Sequence, residues 1–302
     1  MYFPLMNMAL LRLIRKHLPA SYLLLPLYLP VVSFTSCQKS SVPSVAPLYD
    51  SVPVMKPVVP IINEISGIAD SKLNAGYLWG QQDSGNPPAI YLVGHNGEVL
   101  KSLFIKGAIN RDWEDMTLSG TDLYIADIGD NNQVYSDYMI YTFPEPGKNT
   151  DTLTSFKSIR FSYEDGSHDA EAFLVDPASK DIYIFSKRDN QSRIYQLTFP
   201  YSYTAINTTK QVGTLPYGGV VSACISADGK ELLIKTYPAI LHYTRGAQES
   251  ILQALQKTYT KLPYKMEPMG EAVTFAADNT GYYTLSEKGF GSSVNLYFYK
   301  RK

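Results

Sequence analysis

Four glutamates stand at matching points along the chain, and their side chains are the first candidates for chemistry. Glu64, Glu114, Glu171 and Glu271 each lie at the start of an apolar stretch that is followed by a turn rich in Asp, Gly, Asn or Ser. Carboxylates bind hard cations, accept hydrogen bonds from backbone N–H groups, and transfer protons in hydrolysis. Their recurrence predicts that distant segments of the chain build one acidic site together.

Other charged residues stand at the ends of the strands that follow and in the loops that precede the glutamates. With the glutamates they make up the expected binding funnel: Glu64, Asp83, Arg111, Asp112, Glu114, Asp127, Asp130, Asp169, Glu171, Lys187, Lys235, Glu271 and Glu287. Because burying unpaired charge is costly, these groups must be paired, solvated or bound to a cation. Two interpretations stay open: a funnel that binds a ligand, and a structural network in which basic side chains and backbone N–H groups satisfy the acids.

The loop "DIGDN", residues 127–131, has the oxygen density of a cation site. Two aspartates and an asparagine fall within five residues around a glycine, although the longer loop and distal Glu of an EF-hand are absent. The expected cofactor is Ca²⁺, held by Glu64, Asp127, Asp130 and Glu171. No residue is assigned a catalytic role.

The segments that carry these residues repeat about every fifty residues. Five of them share a short strand, a polar turn and a second apolar strand, and the markers Glu64, Glu114, Glu171, Ala223 and Ala272 are 50, 57, 52 and 49 residues apart. This period is typical of a four-stranded propeller blade. We expect an all-β fold, a β-propeller of four-stranded blades with five blades, with six blades or a β-sandwich as the alternatives.

The last repeat ends one strand short, at the C-terminal stretch "VNLYFYKRK". The stretch "SVPVMKPVV", residues 51–59, precedes the first repeat and can supply the missing strand. Closure by an N-terminal strand would remove an exposed sheet edge. In the fourth repeat, residues 247–257 have the apolar spacing of a helix, and we expect them to form an insertion at the edge of the sheet.

Bulk composition excludes several classes of protein. With 45% hydrophobic and 18% charged residues, the 302-residue chain is typical of a folded globular protein. A net charge of −1 gives no basic footprint for nucleic acid. The four histidines lack zinc spacing, and there is no G-x-S-x-G elbow, phosphate-binding loop or dinucleotide fingerprint.

The N-terminus has the pattern of a targeting signal. Arg12, Arg15 and Lys16 precede a long apolar run that ends at Cys37, and the residues before this cysteine resemble a bacterial lipobox in which Phe34 replaces the usual Leu. Three prolines within the run count against the alternative, an uncleaved membrane helix. We expect cleavage before Cys37 and lipidation of that residue.

These patterns divide the chain into three parts. Residues 1–36 are expected to form a lipoprotein signal peptide, 37–50 a flexible tether, and 51–302 a single β-propeller domain. The expected location is the cell envelope, lipid-anchored on the periplasmic side of a bacterial membrane. Cys224 stands in an apolar run and is expected to be a buried, inert thiol.

Several motifs resemble a known family. The stretches "SGIADSKLNAGYLWGQQDSGNPPAIYLV", "NRDWEDMTL", "LYIADIGDN" and "DAEAFLVDP" resemble bacterial secreted β-propeller lipoproteins of largely unassigned function. More loosely, "DAEAFLVD" resembles the acidic blade-start motif of esterase-like phytase propellers and related NHL-type propellers. The phytase resemblance implies calcium and basic side chains that hold phosphates, but the expected funnel has few Lys or Arg, which disfavours inositol phosphate hydrolysis.

Two functions of different classes follow. The first is a membrane-anchored, periplasm-facing propeller that binds a small molecule or a protein, or acts as a scaffold, through its acidic funnel. The alternative is a calcium-dependent hydrolase of a phosphoester, ester or glycosidic bond, the last of which needs two suitably spaced carboxylates. An open funnel with unpaired acids would favour a ligand or metal site, whereas acids that are all neutralised would favour a structural role.

Overall fold

Strands dominate residues 48–302, the part of the chain that the computed structural model describes. The all-β class expected from the sequence is confirmed. The expected signal peptide, the lipidation site Cys37 and most of the tether fall on residues 1–47 and lie outside the described residues. Within the described range, no helix has both the length and the apolar character needed to cross a membrane.

The first sheet is an antiparallel meander. The chain starts with β1 (Val54–Pro57), β2 (Ile65–Asp70), β3 (Tyr77–Gln82), β4 (Ala89–Gly94) and β5 (Val99–Ile105). Strands β2 to β5 pair in sequence order. Every residue of β2 is buried, whereas β5 alternates between exposed and buried side chains, so β2 is the inner strand and β5 lies towards solvent.

Eight of the next nine strands build an eight-stranded sheet. They are β6 (Trp113–Ser119), β7 (Asp122–Asp127), β8 (Tyr138–Pro144), β9 (Thr152–Leu153), β10 (Lys157–Tyr163), β11 (Ala170–Val175), β12 (Ile182–Ser186), β13 (Arg193–Leu197) and β14 (Asn207–Thr214). Short β9 pairs in parallel with β5 and extends the first sheet instead. The eight-stranded sheet consists of two antiparallel halves, which a parallel pairing of β10 with β14 joins at their outer strands.

The remaining seven strands, together with β1, form two four-stranded sheets. They are β15 (Val220–Ile225), β16 (Glu231–Thr236), β17 (Ala239–Thr244), β18 (Thr260–Lys261), β19 (Ala272–Phe275), β20 (Gly281–Leu285) and β21 (Asn295–Lys300). Helix α1 (Ile251–Leu255) interrupts the third sheet between β17 and β18, within the segment expected to be helical but shorter than it. Ser250 caps this helix through a capping box with Gln253.

The N-terminal strand completes the last sheet. Strand β1 pairs antiparallel with β21, with Val54 opposite Phe298, so the sheet order is β1-β21-β20-β19. Just before β1, Tyr49 is fully buried and bridges to Arg301. Packing therefore begins before residue 51, inside the segment expected to be tether.

The five inner strands contact one another in a closed sequence. Strand β2 packs on β6, β6 on β11, β11 on β15, β15 on β19, and β19 on β2. A Cβ at Gly67 in β2 would lie 2.5 Å from the backbone nitrogen of Met116 in β6, so only glycine allows this close approach. Five buried apolar clusters fill the spaces between neighbouring groups of strands.

One carboxylate links inner strands that are not neighbours. Asp115 of β6 is fully buried, and its Oδ2 accepts hydrogen bonds from the Ser222 hydroxyl at 3.1 Å and the Ala223 N–H at 3.2 Å, both in β15. The backbone of Phe173 in β11 also bonds to it. Asp115 thus occupies the space that these inner strands surround.

Candidate functional site

Three carboxylates from two neighbouring sheets meet at the starts of the inner strands. Asp83 follows β3, and Asp112 and Glu114 stand at the beginning of β6. Each offers an oxygen that lies within 4.8 Å of the other two. We call these three residues the acid cluster. Asp112 and Glu114 are buried and Asp83 is half-buried, so the cluster is open to solvent only on the Asp83 side.

The loop after β7 packs tightly against this cluster. A Cβ at Gly129 would lie 2.2 Å from Oε1 of Glu114 and 2.4 Å from Oδ2 of Asp112. The Gly129 N–H also donates to the carbonyl oxygen of Asp112 at 3.1 Å. The glycine of the "DIGDN" loop therefore leaves the space that two of the carboxylates occupy.

Within residues 48–302, no basic side chain forms a direct ion pair with the acid cluster. Burial raises the pKa of Asp112 to about 6, and the charge of Asp83 adds to this effect. Burial also raises the pKa of Glu114 well above its usual value, and the charges of Asp83 and Asp112 reinforce it, while Lys187 opposes it. Among residues 48–302, no Lys, Arg or His nitrogen lies within 4.0 Å of a cluster carboxylate. Either protons or a bound cation must offset the repulsion.

A second acidic pair borders the cluster. Burial raises the pKa of Glu287 to about 8, helped by the charge of Glu271 and by a hydrogen bond between the two carboxyl groups. The Tyr237 hydroxyl donates to Oε1 of Glu271 at 2.5 Å. The Glu287 carboxyl is therefore protonated at neutral pH.

A pocket opens to solvent beside this pair. It has a volume of about 260 Å³ and is lined by Asn63, Glu64, Glu287, Lys288 and Gly289. We call it the mouth pocket. Glu64 is exposed, and its Oε2 accepts a hydrogen bond from the Asn86 side-chain amide at 2.7 Å. A ligand in the mouth pocket would therefore meet carboxylates from the first and last sheets.

Glu171 of β11 forms an ion pair with Lys187, which directly follows β12. The Lys187 ammonium contacts Oε1 of Glu171, and both side chains are largely buried. The other oxygen, Oε2, is buried and has no hydrogen-bond partner. Because Lys187 also acts electrostatically on Glu114, this pair lies within range of the acid cluster.

Asp127, Asp130 and Asp169 satisfy protein groups instead of facing an open site. Asp127 accepts from the Asp112 N–H at 2.7 Å, and burial raises its pKa to about 6. Asp130 accepts from the Tyr138 hydroxyl at 2.8 Å and from two backbone N–H groups of its own loop. Asp169 accepts from the Asp130 N–H at 2.9 Å and from Arg188 Nε at 2.6 Å. These three aspartates fix the loops around the cluster.

The two remaining basic residues of the expected funnel point elsewhere. Arg111 lies 4.0 Å above the Tyr135 ring and donates to the Asp137 carbonyl oxygen at 3.0 Å. Lys235 is fully buried and donates to the Tyr264 hydroxyl at 2.9 Å, and burial lowers its pKa to about 8. Neither side chain neutralises the acid cluster.

The acids that come together in the structure are not the four residues expected to bind calcium. In the described part of the chain, one group of three potential ligand residues comes together, and it contains none of Glu64, Asp127, Asp130 and Glu171. Of the wider expected funnel, Asp83, Asp112 and Glu114 form this group, with Glu271 and Glu287 beside it. Carboxylate oxygens without nitrogen or sulfur ligands suit a hard cation such as Ca²⁺ or Mg²⁺.

The expected funnel left out four residues that are prominent in the structure. They are Asp115, Gly129, Tyr237 and Glu267. Asp115 directly follows Glu114, and Gly129 lies within the loop proposed for the cation, so position along the chain pointed to both. Glu267 lies in a loop outside the repeat pattern, where burial raises its pKa to about 7, and nothing in the sequence marks it.

Comparisons with known proteins find similarity among solved structures. No protein-family model matches the chain, and no curated protein matches it. Among solved structures, the chain is similar to Kuenenia stuttgartiensis hydrazine synthase, with a TM-score of 0.41 and 9% sequence identity. The match covers 78% of this chain and 83% of the other.

Proposed function

We propose that residues 48–302 form a five-bladed β-propeller closed by the N-terminal strand. Three observations support this: the inner strands β2, β6, β11, β15 and β19 contact in a closed sequence, each is followed by antiparallel partners, and β1 completes the last sheet. Five apolar clusters alternate with five groups of strands, which is the packing expected when blades stack around an axis.

On this fold, the function is cation-dependent ligand binding at the acidic face of a lipid-anchored, periplasm-facing protein. The observation that carries the proposal is the acid cluster: its three carboxylates lie within 4.8 Å of one another, and no Lys, Arg or His nitrogen of residues 48–302 lies within 4.0 Å of them. A divalent cation between Asp83, Asp112 and Glu114 would offset their repulsion. It would leave coordination positions towards the mouth pocket for an oxygen-bearing small molecule or a protein side chain.

Binding is favoured over catalysis because most of the surrounding polar groups are already committed. Asp127, Asp130 and Asp169 hold loops, and Lys187 pairs with Glu171. Such contacts preorganise a binding surface, which lowers the cost of ordering it when a ligand arrives. They leave few free groups for the acid, base and nucleophile that a hydrolase requires.

Thermal melting with and without calcium tests the cation. The full-length protein is stripped with a chelator and then melted over a series of Ca²⁺ concentrations, with Mg²⁺ in parallel. At a hundredfold excess over Kd, binding to the native state should add about 2.7 kcal/mol to the free energy of unfolding and raise Tm accordingly. The double variant Asp112→Asn/Glu114→Gln should lose this response.

The matched control is Asp151→Asn, which removes an exposed carboxylate that pairs with Lys101 far from the cluster in sequence. This variant should respond to calcium like the unmodified chain. Melting curves that coincide in chelator, Ca²⁺ and Mg²⁺ would contradict the cation proposal. A response that survives in Asp112→Asn/Glu114→Gln would show that the cation binds elsewhere.

The same experiment at two pH values gives a second readout. Asp112 and Glu287 have folded-state pKa values raised to about 6 and about 8, so in chelator the folded protein binds more protons than the unfolded chain between about pH 4 and 8. Stability without cation should therefore fall as pH rises through this window. Because a cation competes with these protons, the calcium-induced rise in Tm should be larger at pH 8 than at pH 5.

The alternative, a calcium-dependent hydrolase, is favoured by one observation. Glu287 lines the mouth pocket, and a pKa of about 8 keeps it protonated at neutral pH, as a general acid requires. Calcium-dependent turnover of nitrophenyl phosphates, esters or glycosides, lost in Glu287→Gln, would replace the binding function. Absence of turnover under conditions where calcium raises Tm would leave binding as the function.

A further inference from the structure

A groove lies at the opposite ends of the strands from the acid cluster. It consists of two adjoining cavities of about 470 Å³ and about 310 Å³, which share Asp122, Tyr124, Lys157 and Tyr203 in their walls. Both volumes fall at or within the range of ~300–1,000 Å³ typical of small-ligand sites. Because the cavities share a wall, one elongated ligand can occupy both.

The groove exists because two halves of the eight-stranded sheet separate at this end. Strands β10 and β14 pair in parallel over three residues, from Phe161 opposite Asn207 to Tyr163 opposite Thr209. Before Asn207, the connection from β13 leaves the sheet as an irregular loop, residues 198–206. This loop forms one wall of the groove, and the start of β10 with β7 and β8 forms the other.

Alternate residues of the loop form a ladder of aromatic rings. Phe199 packs edge-on against Tyr201 with centroids 5.3 Å apart, and Tyr201 packs edge-on against Tyr203 at 5.8 Å. Tyr201 is buried, whereas Phe199 and Tyr203 remain 40% and 41% exposed. The buried central ring therefore fixes two outer rings that present surface to the groove and its rim.

Hydrogen bonds hold the loop at both ends. The Phe199 N–H donates to Oδ1 of Asp181 at 2.8 Å. At the other end, the Ser202 N–H donates to Oδ1 of Asn207 at 2.7 Å, and the Asn207 amide donates to the Arg160 carbonyl oxygen of β10 at 2.9 Å. Rings on a fixed loop contact a ligand with little loss of conformational entropy.

The charged groups of the groove form no ion pair within residues 48–302. The ammonium groups of Lys157 and Lys180 lie 4.9 Å and 5.3 Å from the ring centres of Tyr203 and Phe199. In the part of the chain that the structure describes, neither lysine has a carboxylate within 4.0 Å, and Asp122 has no basic partner. Two free ammonium groups and one free carboxylate thus line a cavity with aromatic walls.

We propose that this groove binds an acidic oligosaccharide, a chain of sugar rings that carry carboxylates. The C–H face of a sugar ring is apolar and can pack on Tyr203, while the Asp122 carboxylate accepts hydrogen bonds from sugar hydroxyls. The two ammonium groups bind the sugar carboxylates, and charge-assisted hydrogen bonds of this kind are about twice as strong as neutral ones. A single sugar would fill one cavity, whereas an oligomer fills both.

Titration calorimetry with a short oligogalacturonate tests the proposal. The full-length protein is titrated in a chelator, so that cations cannot bridge the acidic ligand to other carboxylates. Tyr203→Ala, and separately Lys157→Gln/Lys180→Gln, should each raise Kd by about tenfold or more, which corresponds to the loss of one strong contact. Raising the salt concentration should weaken binding to the unmodified protein.

Matched controls separate the groove from the rest of the surface. Lys210→Gln removes an exposed lysine of β14, and Phe290→Ala removes a fully exposed ring, so neither should change Kd. A neutral oligosaccharide of equal length should bind at least about tenfold more weakly. Equal binding of the neutral oligomer, no binding of the acidic one, or unchanged affinity in the groove variants would overturn the proposal.

Discussion

Gly129 defines the geometry of the acid cluster at the scale of a single residue. Its Cα faces Glu114 and Asp112 so closely that an added methyl group would overlap both carboxylates. The pKa shifts of these acids arise from burial, and this close packing is one source of it. The lack of a Cβ at Gly129 therefore influences both the distance between the two carboxylates and their pKa values.

Gly129→Ala should separate the carboxylates without removing any of them. The new Cβ forces Glu114 or Asp112 to move, so the calcium-induced rise in Tm should be lost, and overpacking should lower the free energy of unfolding by about 1–3 kcal/mol. Chelator and calcium melts of the variant check both effects. Gly147→Ala is the control, because its Cβ would meet nothing within 4 Å. An unchanged calcium response in Gly129→Ala would refute the assigned position of the cation.

The sequence predicted which residues approach the site better than it predicted what each one does. Recurrent spacing placed Glu114, Asp112 and Asp83 in one funnel, and the structure brings them together. Asp130 looked like a cation ligand because of its neighbours in the chain, yet its oxygens accept hydrogen bonds from Tyr138 and its own loop. Arg111 looked like a counter-charge but stacks on Tyr135. Side-chain direction depends on local packing, which residue type and spacing do not encode.

At the scale of the element, the N-terminal strand closes the last sheet through a buried anchor. Tyr49 is fully buried, and its ring packs edge-on against Tyr282 with centroids 4.9 Å apart. Its hydroxyl donates to Glu231 at 3.3 Å, which links the strand to the preceding sheet. All four residues of β1 itself are exposed, and the buried residues that flank the strand are Tyr49 before it and Val58 after it.

Tyr49→Ala should therefore weaken the last sheet. Deleting a fully buried aromatic side chain typically costs about 3–5 kcal/mol, and urea denaturation of the full-length protein measures the change. Val52→Ala, which truncates a side chain that is 79% exposed, should cost less than about 0.5 kcal/mol. If Tyr49→Ala unfolds at the same urea concentration as the unmodified chain, the N-terminal segment does not stabilise the sheet.

The repeat period in the sequence predicted the inner strands and their hairpin partners, because these strands carry regularly spaced apolar residues that become buried. It gave no sign of β9, which crosses to pair in parallel with β5, or of the β10–β14 pairing. The outer strand β14 alternates only weakly between buried and exposed residues, and its pairing with β10 depends on backbone edges that any sequence can present. The groove beside β14 therefore could not be predicted from the sequence, although the alternating aromatic residues Phe199, Tyr201 and Tyr203 are evident in it.

At the scale of the whole molecule, the proposed lipid anchor is the property with the most direct test. The basic, apolar and lipobox-like segments before Cys37 support cleavage and acylation there. Bacterial cells that express the full-length chain and grow on a labelled fatty acid should label the protein. Cys37→Ser should abolish the label while leaving Cys224 in place as the internal control. Equal labelling of the unmodified protein and Cys37→Ser would refute the anchor proposal.

The buried carboxylate of Asp115 bears on the order in which a cation and a ligand would dissociate from the acid cluster. It is fully buried between the inner strands and accepts hydrogen bonds from Ser222 and Ala223, so the solvent-facing approach to the acid cluster lies on the Asp83 side. A cation held by Asp112 and Glu114 would then enter and depart on the Asp83 side. A ligand bound there would cover the cation. The cation, which binds before the ligand, would then dissociate only after it, and the cation's residence time would lengthen with ligand affinity.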